Sequence, residues 1–220
     1  MTDTFDLTAV MYTANTISSE FAQNTLNQLM EALGNTPLII VERDPAIQPS
    51  HFNIYRQALE GARLAKTKFI ACVEDDQLYP PTHFEYRPRK KPFAYNLAYW
   101  GIYTWKETPL FHYKGRRNLG NLICEREAFI EAMEERFAKY PDPEGQHLKD
   151  IWAEPSKYER QLGVTIREHE EFYTQPPNIK FSHPTELSFA GLGTRKRAGE
   201  LQAVELPYWG RAKDVRALYD

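Results

Sequence analysis

Phe69-Ile70-Ala71-Cys72-Val73-Glu74-Asp75-Asp76 is the stretch on which the fold turns. Five residues suited to a buried strand run straight into three consecutive acids. A short apolar run without alternation reads as a central strand of an α/β sheet. The carboxyl end of such a strand is where open α/β sheets bind ligands. Three adjacent carboxylates repel one another unless a cation joins them. Hard oxygen ligands suit Mg²⁺ or Mn²⁺, and either ion can in turn hold a diphosphate. A solvated acidic turn is the plainer alternative.

The residues upstream supply a frame for that strand. Leu7 to Tyr12 reads as a first strand, followed by the polar turn Thr13-Ala14-Asn15-Thr16. Ser18 or Ser19 can cap a helix that carries Glu20 in its first turn. Ala22, Leu26, Leu29, Met30 and Leu33 recur at helical spacing and predict its inward face. Gly34 is placed to end this helix, and Pro37 opens a short buried strand, Leu38 to Val41. After a loop from Asp44 to Ser50, a second helix turns Ile54, Ala58, Ala62 and Ala65 inward. Strand, helix, strand, helix, strand predicts a parallel, doubly wound unit of about 70 residues.

Downstream the pattern is less regular. Pro80, Pro81, Pro88 and Pro92 bracket a loop with the basic run Arg87, Arg89, Lys90 and Lys91. Phe93 to Tyr103 is rich in aromatics and reads as one strand, and Leu119 to Cys124 as another. Glu125 to Tyr140 predicts a helix with Ala128, Phe129, Ala132, Met133 and Phe137 inward, broken by Pro141-Asp142-Pro143. Pro155 suits the first turn of a short helix that ends at Gly163. Val164 to Arg167 and Ile179 to Ser182 are candidate late strands, and Gly191 to Gly199 reads as a loop.

The 220 residues allow one substantial core, with 13% aromatic and 26% charged residues as in a globular chain. A net charge of −3 provides no overall basic field, so any attraction to a polyanion must come from local clusters. No apolar run approaches the roughly 18 residues of a membrane span, and the acidic start lacks a signal-peptide pattern. Cys72 and Cys124, both in apolar runs, read as buried thiols in a reducing cytoplasm rather than as a disulfide framework.

Three stretches together resemble the small GT-A-fold, family-2-like nucleotide-sugar glycosyltransferases. Val10-Met11-Tyr12-Thr13-Ala14-Asn15 stands in the place of that family's first strand and turn. Tyr55 to Ala62, running on to Glu74-Asp75-Asp76, is similar to its second helix and acidic metal motif, with Glu in the place of the first Asp. Gly120 to Phe129 looks like its small-residue strand and following helix start. The resemblance implies a single domain over residues 1–220 with a Rossmann-like, doubly wound, mixed central sheet. Residues 1–80 would form the nucleotide-sugar half and 81–220 the acceptor half.

The resemblance also implies roles. Asp76 is the expected metal ligand for Mn²⁺ or Mg²⁺, with His183 of Phe181-Ser182-His183 as a second. Glu74 and Asp75 are expected at the donor ribose or at the metal through water. Thr13, Ala14, Asn15 and Glu42 (or Arg43) are candidates for the donor base, a UDP-sugar being the first choice, and Arg56 is a further donor contact. Arg195 and Arg197, with Lys196, can close over the diphosphate. An inverting transfer needs a carboxylate base, for which Glu154 and Asp150 are the candidates. Short relatives occur in phage-like sequences, which suggests transfer to a hydroxymethylated base in DNA, in a host cytoplasm. A saccharide or small molecule is the other acceptor class. The basic runs Arg87–Lys91 and Lys114–Arg117 are expected on the side of the acidic triplet, flanking the aromatics from Tyr95 to Trp105. A nucleotidyltransferase and a non-catalytic nucleic-acid-binding protein are the competing readings. The former normally carries a glycine-rich phosphate loop, and Thr13 to Ser19 contains no glycine.

Overall fold

The computed structural model describes residues 5–141, 155, 156, 158–187 and 201–220. The fold is α/β with a mixed central sheet, in agreement with the expected class. The opening strands are β1 (Leu7–Thr13), β2 (Leu38–Glu42) and β3 (Phe69–Glu74), all parallel, with β1 between the other two. Period-two alternation along β1 divides the core. Val10 and Tyr12 pack with Ala58 and Ala62 of α2 (His51–Leu64), while Leu7, Ala9 and Met11 meet Leu29 and Leu33 of α1 (Ser19–Leu33) on the opposite face.

Local sequence accounts for these elements. The Ser18 side chain accepts from the Phe21 amide at 3.2 Å and Ser50 accepts likewise from Asn53, so each helix has a conventional N-cap. Gly34 ends α1 at φ 55°, a conformation open to glycine at little cost, and donates its amide to Met30. One expectation fails on α1. Met30 is 59% exposed, and the buried stripe is instead Phe21, Thr25, Leu29, Ala32 and Leu33. Strand β2 is likewise not buried along its length, because it closes the edge of the sheet and only Val41 is fully covered.

The remaining strands build two sheets, not one. After β4 (Gln77–Leu78) and the short α3 (Pro81–Glu85), the predicted strand from Phe93 to Tyr103 is two strands. These are β5 (Phe93–Asn96), in the first sheet, and β6 (Tyr99–Tyr103), in the second. The break is a side-chain event: Asn96 Oδ1 accepts from the Ala98 amide at 2.9 Å and turns the chain between them. Next come β7 (Phe111–Tyr113), β8 (Leu122–Glu125) and α4 (Arg126–Lys139), then α5 (Glu159–Leu162), β9 (His169–Phe172) and β10 (Asn178–Ser182). The predicted strand at Val164–Arg167 is not one. Thr165 and Arg167 are held by the side chains of Glu131 and Glu135 on α4, and laddering starts at His169 opposite Phe93.

The first sheet runs β2-β1-β3-β8-β5-β9, with β8 antiparallel to both neighbours. The second runs β11-β7-β6-β10-β4, where β11 is Gln202–Ala203. The hairpin β12 (Glu205–Leu206) and β13 (Gly210–Arg211) then leads into α6 (Ala212–Arg216), and this C-terminal segment packs with Phe21 and Phe181 on the second sheet. The chain passes from the first sheet to the second between β3 and β4. The two residues of that passage are Asp75 and Asp76.

Candidate active site

The acidic triplet thus lies where two sheets meet, at the C-terminal ends of parallel β1 and β3. A cleft of about 140 Å³ opens there, lined by the triplet together with Tyr12, His51, Lys180 and His183. Ile179 and Phe181 point into the core of the second sheet, so the period of two turns Lys180 to the other face, toward the acids. Its ammonium lies 2.7 Å from Glu74 Oε2 and 2.6 Å from each oxygen of Asp76. Burial opposes its charge, but the Asp76 and Glu74 carboxylates raise its pKa well above the usual lysine value.

Asp76 is buried and has a second partner. His183 Nε2 lies 3.2 Å from Asp76 Oδ2, and the other ring nitrogen lies 2.9 Å from Thr185 Oγ1. Burial pushes the Asp76 carboxyl up, but Lys180 and His183 outweigh it and hold the acid below its usual range. Asp75 differs. Burial and the neighbouring Asp76 push it up to about 6, although the Thr13 hydroxyl bonds to its carboxylate. Glu74 is held at side chain and backbone: the Tyr12 hydroxyl donates to its Oε1 at 3.4 Å, and its amide donates to the Tyr79 hydroxyl at 3.0 Å, which in turn donates to the Gly120 carbonyl at 2.9 Å.

The structure brings Asp76 and His183 together across more than a hundred residues of chain. It also places Lys180 between the acids, a residue that the sequence reading assigned only to a strand. The alternation of Ile179, Lys180 and Phe181 was the available signal, since a lysine on the inner face of a covered strand needs a carboxylate partner. A divalent ion is the occupant that the sequence leads one to expect at this site. Among the described residues no three His, Cys, Asp or Glu side chains converge to hold one. The carboxylates that would bind it face the ammonium instead. A dication on the same oxygens would stand ~3 Å from Lys180 Nζ, where the two repel by ~10 kcal/mol even at an effective dielectric of ~20.

Other expected site residues are spread more widely. Thr13, Asn15 and Glu42 line a second hollow of about 330 Å³ on the opposite side of β1, which shares Asp75 with the cleft. Asn15 has φ 53°, and its amide donates to Thr13 Oγ1 at 2.9 Å. Ala14 lines the main cleft, and its carbonyl accepts from Arg43, which therefore braces the turn. Arg56 does not reach the cleft. It lies over the Phe52 ring on a face of α2 different from that of Ile54, facing a groove shared with Glu60 and Glu134. Asp150, Glu154, Arg195, Lys196 and Arg197 lie outside the described residues.

The two basic runs do not share a side. Arg87 pairs with Asp6 at 2.7 Å and Lys91 with Glu168, while the Arg89 and Lys90 amides bind Glu170. Asp6 precedes β1, and the triplet lies by its far end, ~20 Å away at ~3.3 Å per strand residue. Arg116, by contrast, acts on Tyr99 together with Lys180 and Glu74. Lys114 stands over the Tyr103 ring at 4.4 Å and Trp105 lies 5.1 Å from that ring. Because Tyr103 pairs with Ser182 in register, this aromatic corner adjoins His183.

No family model matches the chain, and no curated protein does. Among solved structures, it is similar to a glycosyltransferase involved in glycosylation of the major capsid of PBCV-1. The identity is 10% and the TM-score 0.47, over 79% of this chain and 91% of the other. It is also similar to Drosophila β-1,4-galactosyltransferase 7, a mutant in complex with manganese, UDP-Gal and xylobiose. Here the identity is 11% and the TM-score 0.41, over 78% and 66% of the two chains. A nucleotidyl transferase from Methanothermobacter gives 13% and 0.40, over 78% and 88%. These overlaps are loose and span different chemistries, so the functional reading rests on the site. No described helix is long and apolar enough to cross a membrane.

Proposed function

We propose that the protein is a glycosyltransferase that takes a sugar from a nucleoside diphosphate sugar, a UDP-sugar first among them, to an acceptor hydroxyl. The observation that carries this is the Glu74–Asp76–Lys180–His183 constellation at the carboxyl ends of parallel strands, in a cleft open to solvent. A cation held by carboxylates at this position can receive a diphosphate, whereas the acids alone would repel it. In the transfer the acceptor oxygen bonds to the anomeric carbon, and the bond to the diphosphate breaks with its electron pair leaving on the phosphate oxygen. The acceptor proton passes to a carboxylate base, for which the sequence proposes Glu154 or Asp150. The described residue that follows them, Pro155, is tied by its carbonyl to the buried Tyr95 hydroxyl.

A saccharide is the acceptor class that the surroundings favour. Tyr103 and Trp105 form an aromatic corner beside His183, and such faces stack on sugar rings. Separation of the basic runs argues against a continuous DNA track. The binding residues come from both ends of the chain, so residues 81–220 contribute to the donor site as well as to the acceptor side. A donor-hydrolysis screen with UDP- and GDP-sugars, followed by saccharide and hydroxymethylated-DNA acceptors, tests the reading. Hydrolysis of one donor, accelerated by a saccharide, is expected. Pyrophosphate release from a nucleoside triphosphate, with no sugar-nucleotide hydrolysis, would make it a nucleotidyltransferase instead.

A further inference from the structure

We infer that Lys180 is the protein's own cation at the diphosphate, standing where a divalent metal would otherwise bridge Glu74, Asp76 and the leaving group. This rests on the donor reading above and departs from the metal-dependent chemistry that the acidic triplet suggests at first sight. Three observations carry it. The ammonium already satisfies both carboxylates, at 2.6 Å from the two Asp76 oxygens and 2.7 Å from Glu74. The three ammonium hydrogens meet two oxygens of Asp76 and one of Glu74, and Lys180 lines the cleft, so an entering diphosphate oxygen can replace one Asp76 contact and still leave each carboxylate with one.

The lysine is also fixed in place. Its backbone is laddered on both sides, opposite Gly101 of β6 and Gln77 of β4, and its side chain is only 17% exposed. Finally, the surroundings are cut to fit this pair. A Cβ on Gly120 would come within 3.0 Å of Glu74 Oε2, the oxygen that meets Lys180, so the missing side chain leaves that carboxylate room to reach the ammonium. His183 holds the outer side of Asp76 and keeps its carboxylate turned inward. During transfer Lys180 donates a hydrogen bond to the phosphate oxygen that receives the electron pair of the breaking glycosidic bond. It retains its own proton, so no co-reactant is needed.

The test is calorimetric titration of UDP and GDP into the full chain, in excess EDTA and again with Mn²⁺, with electron paramagnetic resonance reporting bound Mn²⁺. The wild type should bind one of the two nucleotides in EDTA, with an affinity that Mn²⁺ changes by about threefold or less, and should retain no Mn²⁺ of its own. Lys180→Ala should lose about tenfold or more in EDTA and gain a Mn²⁺ site, as Glu74 and Asp76 are released. Lys180→Arg should keep most of the binding, and it decides the matter together with the wild type if the alanine variant does not fold. Nucleotide binding by the wild type only when Mn²⁺ is present overturns the lysine's role and leaves the donor reading standing. Unchanged binding by folded Lys180→Ala does the same. Binding of neither nucleotide in either buffer overturns both.

Discussion

Gly120 lies against the carboxylate of Glu74: a Cβ at that position would come within 2.8 Å of the Glu74 carboxyl carbon. The contact joins the 3-10 turn Leu119–Asn121, just before β8, to the end of β3 and makes the acid's direction depend on a missing side chain. Gly120→Ala should therefore push Glu74 off Lys180 while leaving the strands in place. The obstructing atoms belong to the end of a flexible side chain, so the expected loss of stability is only ~1–2 kcal/mol. Nucleotide binding should fall by more than that stability loss alone would produce. A melting curve and a titration on the same preparation check this, and an alanine variant with wild-type nucleotide affinity would separate Glu74 from the site.

Asp76 joins Lys180 and His183 at one buried carboxylate. Asp76→Asn keeps the shape but removes the charge that compensates the ammonium. Breaking a buried pair from one side costs about 3–5 kcal/mol, of which the remaining Glu74 contact recovers part. The expected outcome is a folded protein with a lower urea midpoint and donor hydrolysis reduced by ~100-fold or more. Wild-type hydrolysis by this variant would remove Asp76 from the chemistry.

The frame around these residues was legible in the sequence because each βαβ element obeys a single period. Leu7 to Thr13 alternates between two helical layers, and α2 turns Ala58 and Ala62 to one face. Asp76 and His183 were legible as chemical types at expected places. Lys180 was not, since its meaning depends on which face of β10 meets the end of β3, a matter of tertiary pairing. The sheet change between β5 and β6 was hidden for another reason. It is made by the Asn96 side chain, while the apolar pattern from Phe93 to Tyr103 runs on without a break. Met30 shows the opposite limit, fitting the helical period yet facing solvent because, among the described residues, no element covers that side of α1.

His83 predicts an acid sensitivity of the fold. It is completely buried, and Asn96 and Asn178 each direct an amide nitrogen at its Nδ1, at 3.2 and 3.3 Å. Burial lowers its pKa from 6.5 to about 3. The folded state therefore stays neutral at pH values where the unfolded chain takes up a proton. This contribution to stability is complete above about pH 6.5 and is lost progressively as the pH falls toward 3. The full shift caps it at ~5 kcal/mol, of which ~2 kcal/mol is gone by about pH 5. His83→Gln should be less stable at neutral pH but should lose less on acidification. Urea midpoints at neutral and mildly acid pH measure this, and parallel losses in the two proteins would refute the assignment.

Arg136 and Glu159 tie α4 to α5 in the interior, at 3.5 Å with both side chains buried. Glu159→Ala leaves a guanidinium without its counter-charge and should cost about 3–5 kcal/mol. The double change Arg136→Met with Glu159→Leu removes both charges and should cost less than Glu159→Ala alone. A double change that is as damaging as the sum of the single ones would mean that packing, not charge, sets the cost.

The acceptor side is tested at the aromatic corner. Trp105 and Tyr103 lie 5.1 Å apart beside the His183 end of β10, with Lys114 over the Tyr103 ring. If a sugar stacks on this corner, Trp105→Ala should raise the acceptor KM by about tenfold and leave donor hydrolysis without acceptor nearly unchanged. Trp105→Phe should recover much of the loss, because a flat apolar face remains. The contrasting variant reverses Arg89, Lys90 and Lys91 to Glu. That run is anchored to Glu170 and Glu168 at the start of β9, which lies level with the start of β3, the end of that strand away from the triplet. Its reversal should leave the saccharide KM where it was. A DNA acceptor makes the opposite demand, since phosphate contacts scale with every lysine or arginine along the track. A strong rise in KM for hydroxymethylated DNA in the triple variant, with Trp105→Ala silent, would move the acceptor site to the basic run and discard the aromatic corner.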